Sequence, residues 1–277
     1  MEKIAIVTDS TADIPSDLSQ ELNISVVPNI LIIRGKQYLD GQSITREEYY
    51  TQLPTLSPPP TTAAPASGMF SKVYQQLFDS GVQKICSIHA ASPLSGLFNS
   101  ASIASEDFRH RVQVIDSGQL SMGLGFQAIS AAQAATKGSM ELVFDAVRSI
   151  QQRVKVIAML DTLDQLKRSG RVSWVRAGLG SLLKIKLFLE VKDGQVLRLG
   201  EARTRTKGIQ RLIGMLDELG PLEQIAVLHT NAFQDAARLA EQLAHLVTQP
   251  VIIQNVTTVI GTHVGVNALG LAAVRKK

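Results

Sequence analysis

From Lys84 to Ala135 the chain alternates in a regular pattern, short apolar run, polar turn, helical stretch, without any internal sequence repeat. Ile85 to His89 reads as a strand, Ser92 to Gly96 as its turn, and a helix runs on to about Phe108. Val112 to Ile115 is the next strand, Asp116 to Ser121 its turn, and Gly125 to Ala135 an Ala-rich helix. Runs that are apolar throughout, rather than at alternate positions, belong to strands covered on both faces, and helical crossovers supply that cover. Ile4 to Val7, ended by Thr8-Asp9-Ser10-Thr11, fits the same scheme as an opening strand. The pattern excludes a helix bundle and an antiparallel sandwich. It demands a mainly parallel sheet between helices.

The flanking segments complete the expectation. Ile24 to Ile33 reads as one strand, reversed at Arg34-Gly35-Lys36, and Leu53 to Gly68 as an extended loop because Pro54, Pro58, Pro59, Pro60 and Pro65 lack amide donors. Val154 to Leu160 reads as a strand and Thr162 to Arg168 as a helix. Beyond Arg171 the grammar changes: Asp193-Gly194 is a tight-turn signal between Lys186 to Val191 and Val196 to Leu199. Helix Lys207 to Leu219, strand Ile225 to His229, helix Ala232 to Leu246, strand Val251 to Val256 and a last helix near Asn267 to Val274 follow. The expected fold class is α/β with two domains. Residues 1–153 form an N-terminal three-layer α/β/α domain with a mainly parallel sheet, and residues 154–277 a smaller C-terminal α/β domain with a mixed sheet. A chain of 277 residues suits two such cores.

Composition narrows the function. A 45% hydrophobic content can fill both cores, and 5% aromatic residues with a single Trp174 offer few platforms for stacking bases. The net charge of +4 is spread along the chain, with no basic run longer than Arg275-Lys276-Lys277, so nucleic acid is disfavoured. Cys86 has no second cysteine to pair with and sits in an apolar run, as a small hydrophobe in a reducing compartment would. No stretch is long enough to span a bilayer, and Met1-Glu2-Lys3 leads directly into a short strand. A cytoplasmic location is expected, with no integral membrane segment and room only for transient membrane contact.

In open parallel sheets ligands bind beyond the carboxyl ends of the strands, and here those ends carry hydroxyls. Ser95-Gly96 opens a helix whose free amides favour an anion, although capping of that helix by Ser92 or Ser95 explains the same residues. Phosphate-loop, dinucleotide, serine-elbow and zinc-protease motifs are all absent. His89 and His229 end apolar strands, and His263 lies between Gly261 and Gly265, where close backbone approach exposes its ring. Lys167, Arg168 and Arg171 gather at a helix C-terminus, where they complement the dipole. Arg203 and Arg205 alternate in a segment read as extended, on one face, suited to a carboxylate or phosphate.

Taken in order, Thr8-Asp9-Ser10-Thr11-Ala12-Asp13, Asp40-Gly41 before Ile44-Thr45, Pro60-Thr61-Thr62, Leu94-Ser95-Gly96, Asp116-Ser117, Leu166 to Arg171, Arg203-Thr204-Arg205 and Ile260-Gly261-Thr262-His263 resemble the DegV family. The resemblance implies a two-domain protein that holds one long-chain fatty acid, such as palmitate, stearate or oleate, between its domains. It implies no cofactor, no metal and no ATP site of its own. The implied role is that of a FakB-type subunit presenting the carboxylate to a separate FakA-type ATP-binding kinase subunit, in phospholipid metabolism. The family's head-group residues match Thr62 and Ser95, with His263 and Arg171 carried over from its Gly-x-His and Gly-Arg motifs, and Arg203 is the candidate for kinase contact. The flanks depart from the family at Thr62-Ala63-Ala64-Pro65, Leu97-Phe98, Ile185-Lys186-Leu187 and Val266-Asn267. The competing reading is a stand-alone hydrolase or transferase acting on a small anionic or acyl substrate through Ser95, His263 and Asp9 or Asp116.

Overall fold

The computed structural model of the chain describes residues 2–172 and 185–277. The N-terminal sheet consists of β1 (Ile4–Asp9), β2 (Ile24–Val27), β6 (Lys84–His89) and β7 (Val112–Asp116), in the order β2-β1-β6-β7 with every pair parallel. Helices α3 (Ser67–Asp79) and α4 (Leu97–Ser105) pack on it, as do α5 (Met122–Ala135) and α6 (Met140–Gln151). The C-terminal sheet is mixed and six-stranded, β10-β9-β8-β13-β11-β12. Its members are β8 (Val154–Leu160), β9 (Lys186–Lys192), β10 (Gln195–Ala202), β11 (Leu222–His229), β12 (Ile252–Asn255) and β13 (Leu269–Arg275). Only β11 and β12 run parallel in it. The α/β class with one parallel and one mixed sheet stands as expected.

Helix α5 joins the halves. It contacts β1 and β6 on one side and β8 and β13 on the other, and every residue from Met122 to Ile129 is buried. A helix that is apolar around its whole circumference needs such a sandwich. Its glycines allow the approach: a Cβ on Gly123 would come within 2.5 Å of Val156 Cγ2. The main apolar core therefore runs across both halves, with Leu228, Val256 and Ala272 packed into the same cluster as Val7, Ile88 and Phe126.

The structure corrects the sequence reading at four places. Ile24 to Ile33 is not one strand: Pro28 supplies no ladder donor, and β3 (Ile30–Ile33) leaves for a small antiparallel sheet, β4-β3-β5. Its hairpin to β4 (Lys36–Leu39) turns through Arg34 and Gly35, both at positive φ. The proline-rich segment is not wholly loop, since Thr61–Ala63 form β5 and pair with β3, Thr62 opposite Leu31. The segment near Asn267 to Val274 is strand β13, not a helix, held antiparallel between β8 and β11 with Leu269 to Val274 all buried. Four helices were overlooked: α2 (Arg46–Gln52), α3, the amphipathic α6, capped by Ser139, and a short helix at Thr258–Val264.

Candidate functional site

Between the C-terminal sheet and the loops at the carboxyl ends of the N-terminal strands lies a cavity of about 390 Å³, within the range of small-molecule pockets. Its walls are apolar: Val156, Leu160, Leu189, Val191, Leu228 and Ile260 contribute from the C-terminal half, and Leu94 and Leu120 from the other. Polar residues are the minority. Thr62, Ser95, Arg171 and His263, the four residues singled out for the head group, all line this one cavity.

Each is placed by a local element. Pairing with β3 aims Thr62 inward, and its hydroxyl meets His263 Nε2 at 3.0 Å. His263 rides on the helix Thr258–Val264, numbered α10 after α7 (Asp164–Ser169), α8 (Arg205–Asp217) and α9 (Phe233–Leu243). Burial, with the nearby Arg171 guanidinium adding to it, pushes the His263 imidazole down to about 4, so the ring is neutral at physiological pH. Ser95 precedes α4, where its Oγ accepts from Leu97 N–H at 3.4 Å, a weak cap that leaves the hydroxyl proton to donate. Arg171 is exposed and donates to the Ser169 carbonyl at 2.7 Å. A second cavity of about 390 Å³, bounded by Leu53, Pro54, Pro60, Gln165 and Arg168, shares Thr62, Ser169, Arg171 and His263 with the first. The two meet at the Thr62–His263 pair.

Thr11 and His229, noted in the sequence only as strand-end residues, also line the cavity, as do Asn29, Ser121 and Thr230, which the sequence reading missed. Thr11 and Asn29 stand at the carboxyl end of β1 and just after β2, where the strand-end rule points. His229, at the end of β11, is likewise held neutral by burial, near 4, and its Nδ1 accepts from Ala232 N–H at 3.2 Å.

The acids of a hydrolytic set are engaged elsewhere. Asp116 accepts from the amides of Ser92 and Gly118. Asp9 bonds His89 Nδ1 at 2.9 Å, and His89 Nε2 meets Ser87 Oγ at 2.7 Å. Burial alone would raise the Asp9 carboxyl, but its bonds to His89 and Thr11 hold it below the usual range. This Ser87-His89-Asp9 order resembles a catalytic relay. Yet all three side chains are sealed from solvent and none lines either cavity, while Tyr74 already donates to Ser87 Oγ at 2.8 Å. The relay is part of the core. Cys86 beside it is buried, its thiol pushed up to about 12 by desolvation.

Arg203 and Arg205 do not share a face of an extended segment. Thr204 caps α8, so the chain turns helical between them: Arg203 is exposed, whereas Arg205 is tied to Asp161, Asp235 and the Asn267 carbonyl. Lys167 and Arg168 do occupy the last turn of α7. Among the described residues no group of acids, histidines and cysteines is arranged to hold a metal, and no helix is long and apolar enough to cross a membrane.

The family description "Uncharacterised protein, DegV family" matches residues 3–276. The chain belongs to the DegV family. It is 33% identical over 276 residues to the DegV domain-containing protein lmo2514 of Listeria monocytogenes, covering 98% of each chain. Two similar solved structures are described as fatty acid binding. One is a DegV family protein from Thermus thermophilus, at 30% identity, TM-score 0.90 and coverage of 99% of this chain and all of the other. The second, DegV from Bacillus subtilis, has 32% identity, TM-score 0.88 and full coverage of both chains. The two-domain DegV architecture is thus shared over the whole length.

Proposed function

We propose that this DegV protein binds one long-chain fatty acid, such as palmitate, stearate or oleate, with the tail in the apolar cavity and the carboxylate at Thr62 and Ser95. The observation that carries the reading is the cavity itself: apolar over most of its wall, with hydroxyls, a neutral imidazole and a guanidinium gathered where it meets the second cavity. At about 0.8 kcal/mol per methylene, the fifteen carbons behind a palmitate carboxyl contribute on the order of 12 kcal/mol on leaving water. The carboxylate opposes burial and requires donors. If His263 donates its Nε2 proton to Thr62 Oγ1, the Thr62 hydroxyl proton is free for the carboxylate, and Ser95 supplies a second. Arg171 adds positive charge at the rim. The residues 1–153 and 154–277 are then the two domains that enclose the ligand, consistent with a six-stranded sheet drawn entirely from Val154 onward.

The second half of the proposal is delivery to a kinase. The head group adjoins the second cavity, whose lining includes the exposed Pro54, Arg168 and Arg171, and a phosphoryl donor reaches the carboxylate oxygen from that side without exposing the tail. A separate FakA-type subunit holds ATP, the carboxylate attacks its γ-phosphorus, ADP leaves, and acyl phosphate is formed, with the exposed Arg203 at the kinase contact. No nucleophile or base is asked of this chain. The test is to combine the loaded protein, such a kinase subunit and ATP, and to trap acyl phosphate with hydroxylamine. Hydroxamate formed only when all three are present supports the reading. Ester hydrolysis or acyl transfer by the isolated chain would replace it with the enzyme reading.

A further inference from the structure

Helix α10 carries His263, yet at seven residues it is too short to hold itself in place. Its first turn is gripped by two buried carboxylates from the N-terminal half. Asp40 Oδ1 accepts from Thr258 N–H at 3.1 Å and from the Thr258 hydroxyl at 2.7 Å, and Asp40 Oδ2 accepts from the Thr257 hydroxyl. Asp13 Oδ1 accepts from Thr257 N–H at 2.7 Å, and Asp13 Oδ2 from Ser121 at 2.6 Å. Both carboxylates are almost wholly removed from solvent, at 1% and 3% exposure. Arg46 lies 3.2 Å from Asp13 and also donates to the Asn255 carbonyl, so it ties the same two halves. Tyr50 donates to the carbonyls of Val256 and Thr257 at 3.0 and 3.1 Å, and Tyr49 meets the Thr262 hydroxyl at 2.5 Å, one residue before His263.

The cost of this arrangement argues that it does more than fill space. Asp13 and Ser121, which bond one another, both sit at positive φ, 54° and 50°, where non-glycine residues are strained. Burial also pushes the Asp13 carboxyl up to about 7 in spite of Arg46 and its donors. Anions at the start of a helix satisfy its free amides and fix its direction.

We infer that Asp13 and Asp40 are positioning residues of the head-group site, clamping the first turn of α10 so that the His263 imidazole is set against Thr62. The inference rests on the head-group reading above, because it takes His263 to act through Thr62 on the carboxylate. The two domains are thereby locked together at the place where the carboxylate is recognised.

The test is a cycle of substitutions read as palmitate Kd on delipidated protein. Asp40→Asn is made in the parent chain and in a His263→Ala background. Asp40→Asn should raise Kd about tenfold in the parent and less than twofold once His263 is gone. An equal factor in both backgrounds, or no change in either, would overturn the assignment. Thr258→Val, which removes one donor and keeps both carboxylates, carries the same comparison if Asp40→Asn does not fold. A second readout needs no lipid: the His263 ring ¹⁵N signals of the ligand-free protein, identified by their loss in His263→Ala, should shift in Asp40→Asn, Asp13→Asn and Thr258→Val. If the parent chain fails to bind palmitate, the fatty-acid reading falls while these shifts still decide the clamp. Unshifted signals reject it.

Discussion

Thr62→Val isolates the head-group claim. Valine keeps the β-branched shape and the backbone pairing of Thr62 with Leu31 in β5, and removes only the hydroxyl. Two interactions go with it, the proposed bond to the carboxylate and the 3.0 Å contact with His263 Nε2. A hydrogen bond to a charged group is worth about 1.5–3 kcal/mol, which corresponds to roughly 10- to 150-fold in Kd. The tail's contribution, on the order of 12 kcal/mol, is untouched, so binding weakens without vanishing. Isothermal titration of palmitate into delipidated protein measures the change, and Thr62→Ser, which restores the hydroxyl, serves as the matched control. The reasoning requires Thr62→Val to lose at least tenfold and Thr62→Ser to recover most of that loss. A Val variant within twofold of the parent, or a Ser variant as weak as the Val variant, refutes it.

Ser95→Ala should weaken palmitate about tenfold with little change in melting temperature, because among the described residues its side chain takes part only in the long bond from Leu97 N–H, and its backbone bond to the Ala91 carbonyl is kept; unchanged affinity removes Ser95 from the site. Shortening the ligand by two methylenes should cost about 1.6 kcal/mol, near 15-fold in Kd, at each step from sixteen carbons to ten, and a flat series would contradict tail burial. The stability of Asp13→Asn should depend on pH in a particular sense. The folded Asp13 carboxyl titrates at about 7 and the unfolded one at 3.8, so between those values the folded state binds more protons, and this group weakens folding as pH rises through that window. Asparagine does not titrate. The urea midpoint of the variant relative to the parent should therefore climb from about pH 4 to pH 7 and level off above it. A difference constant across that range would show that Asp13 does not titrate there.

The parallel sheet was legible because its strands announce themselves locally, as at Ile85 to His89 and Val112 to Ile115, where apolar runs meet polar turns. The hairpin at Asp193-Gly194 was equally plain, since both residues adopt the positive φ that the dipeptide favours. Strand β13 was not. Its run Leu269-Gly-Leu-Ala-Ala-Val is as compatible with a buried helix, and what makes it a strand is the open slot between β8 and β11, a property of distant residues. The same holds for Thr61–Ala63, whose strand character comes from the edge that β3 offers rather than from its proline-rich surroundings. At the site, Thr62, Ser95, Arg171 and His263 came from motif order, and the structure brings all four to one cavity. The apolar wall was out of reach because Val156, Leu189 and Leu228 are ordinary strand residues until the C-terminal sheet meets the strand-end loops of the N-terminal half. Asp13 and Asp40 were visible as motif residues, but their grip on α10 joins positions more than two hundred residues apart, and the sequence reading had not found that helix.

Native mass spectrometry of the protein as purified bears most directly on whether the apolar cavity houses a fatty acid. The account predicts a single adduct per chain, with the mass of a fatty acid of about sixteen to eighteen carbons, released on delipidation and restored by palmitate at one equivalent. A chain that flies without adduct and takes up no palmitate after delipidation contradicts it.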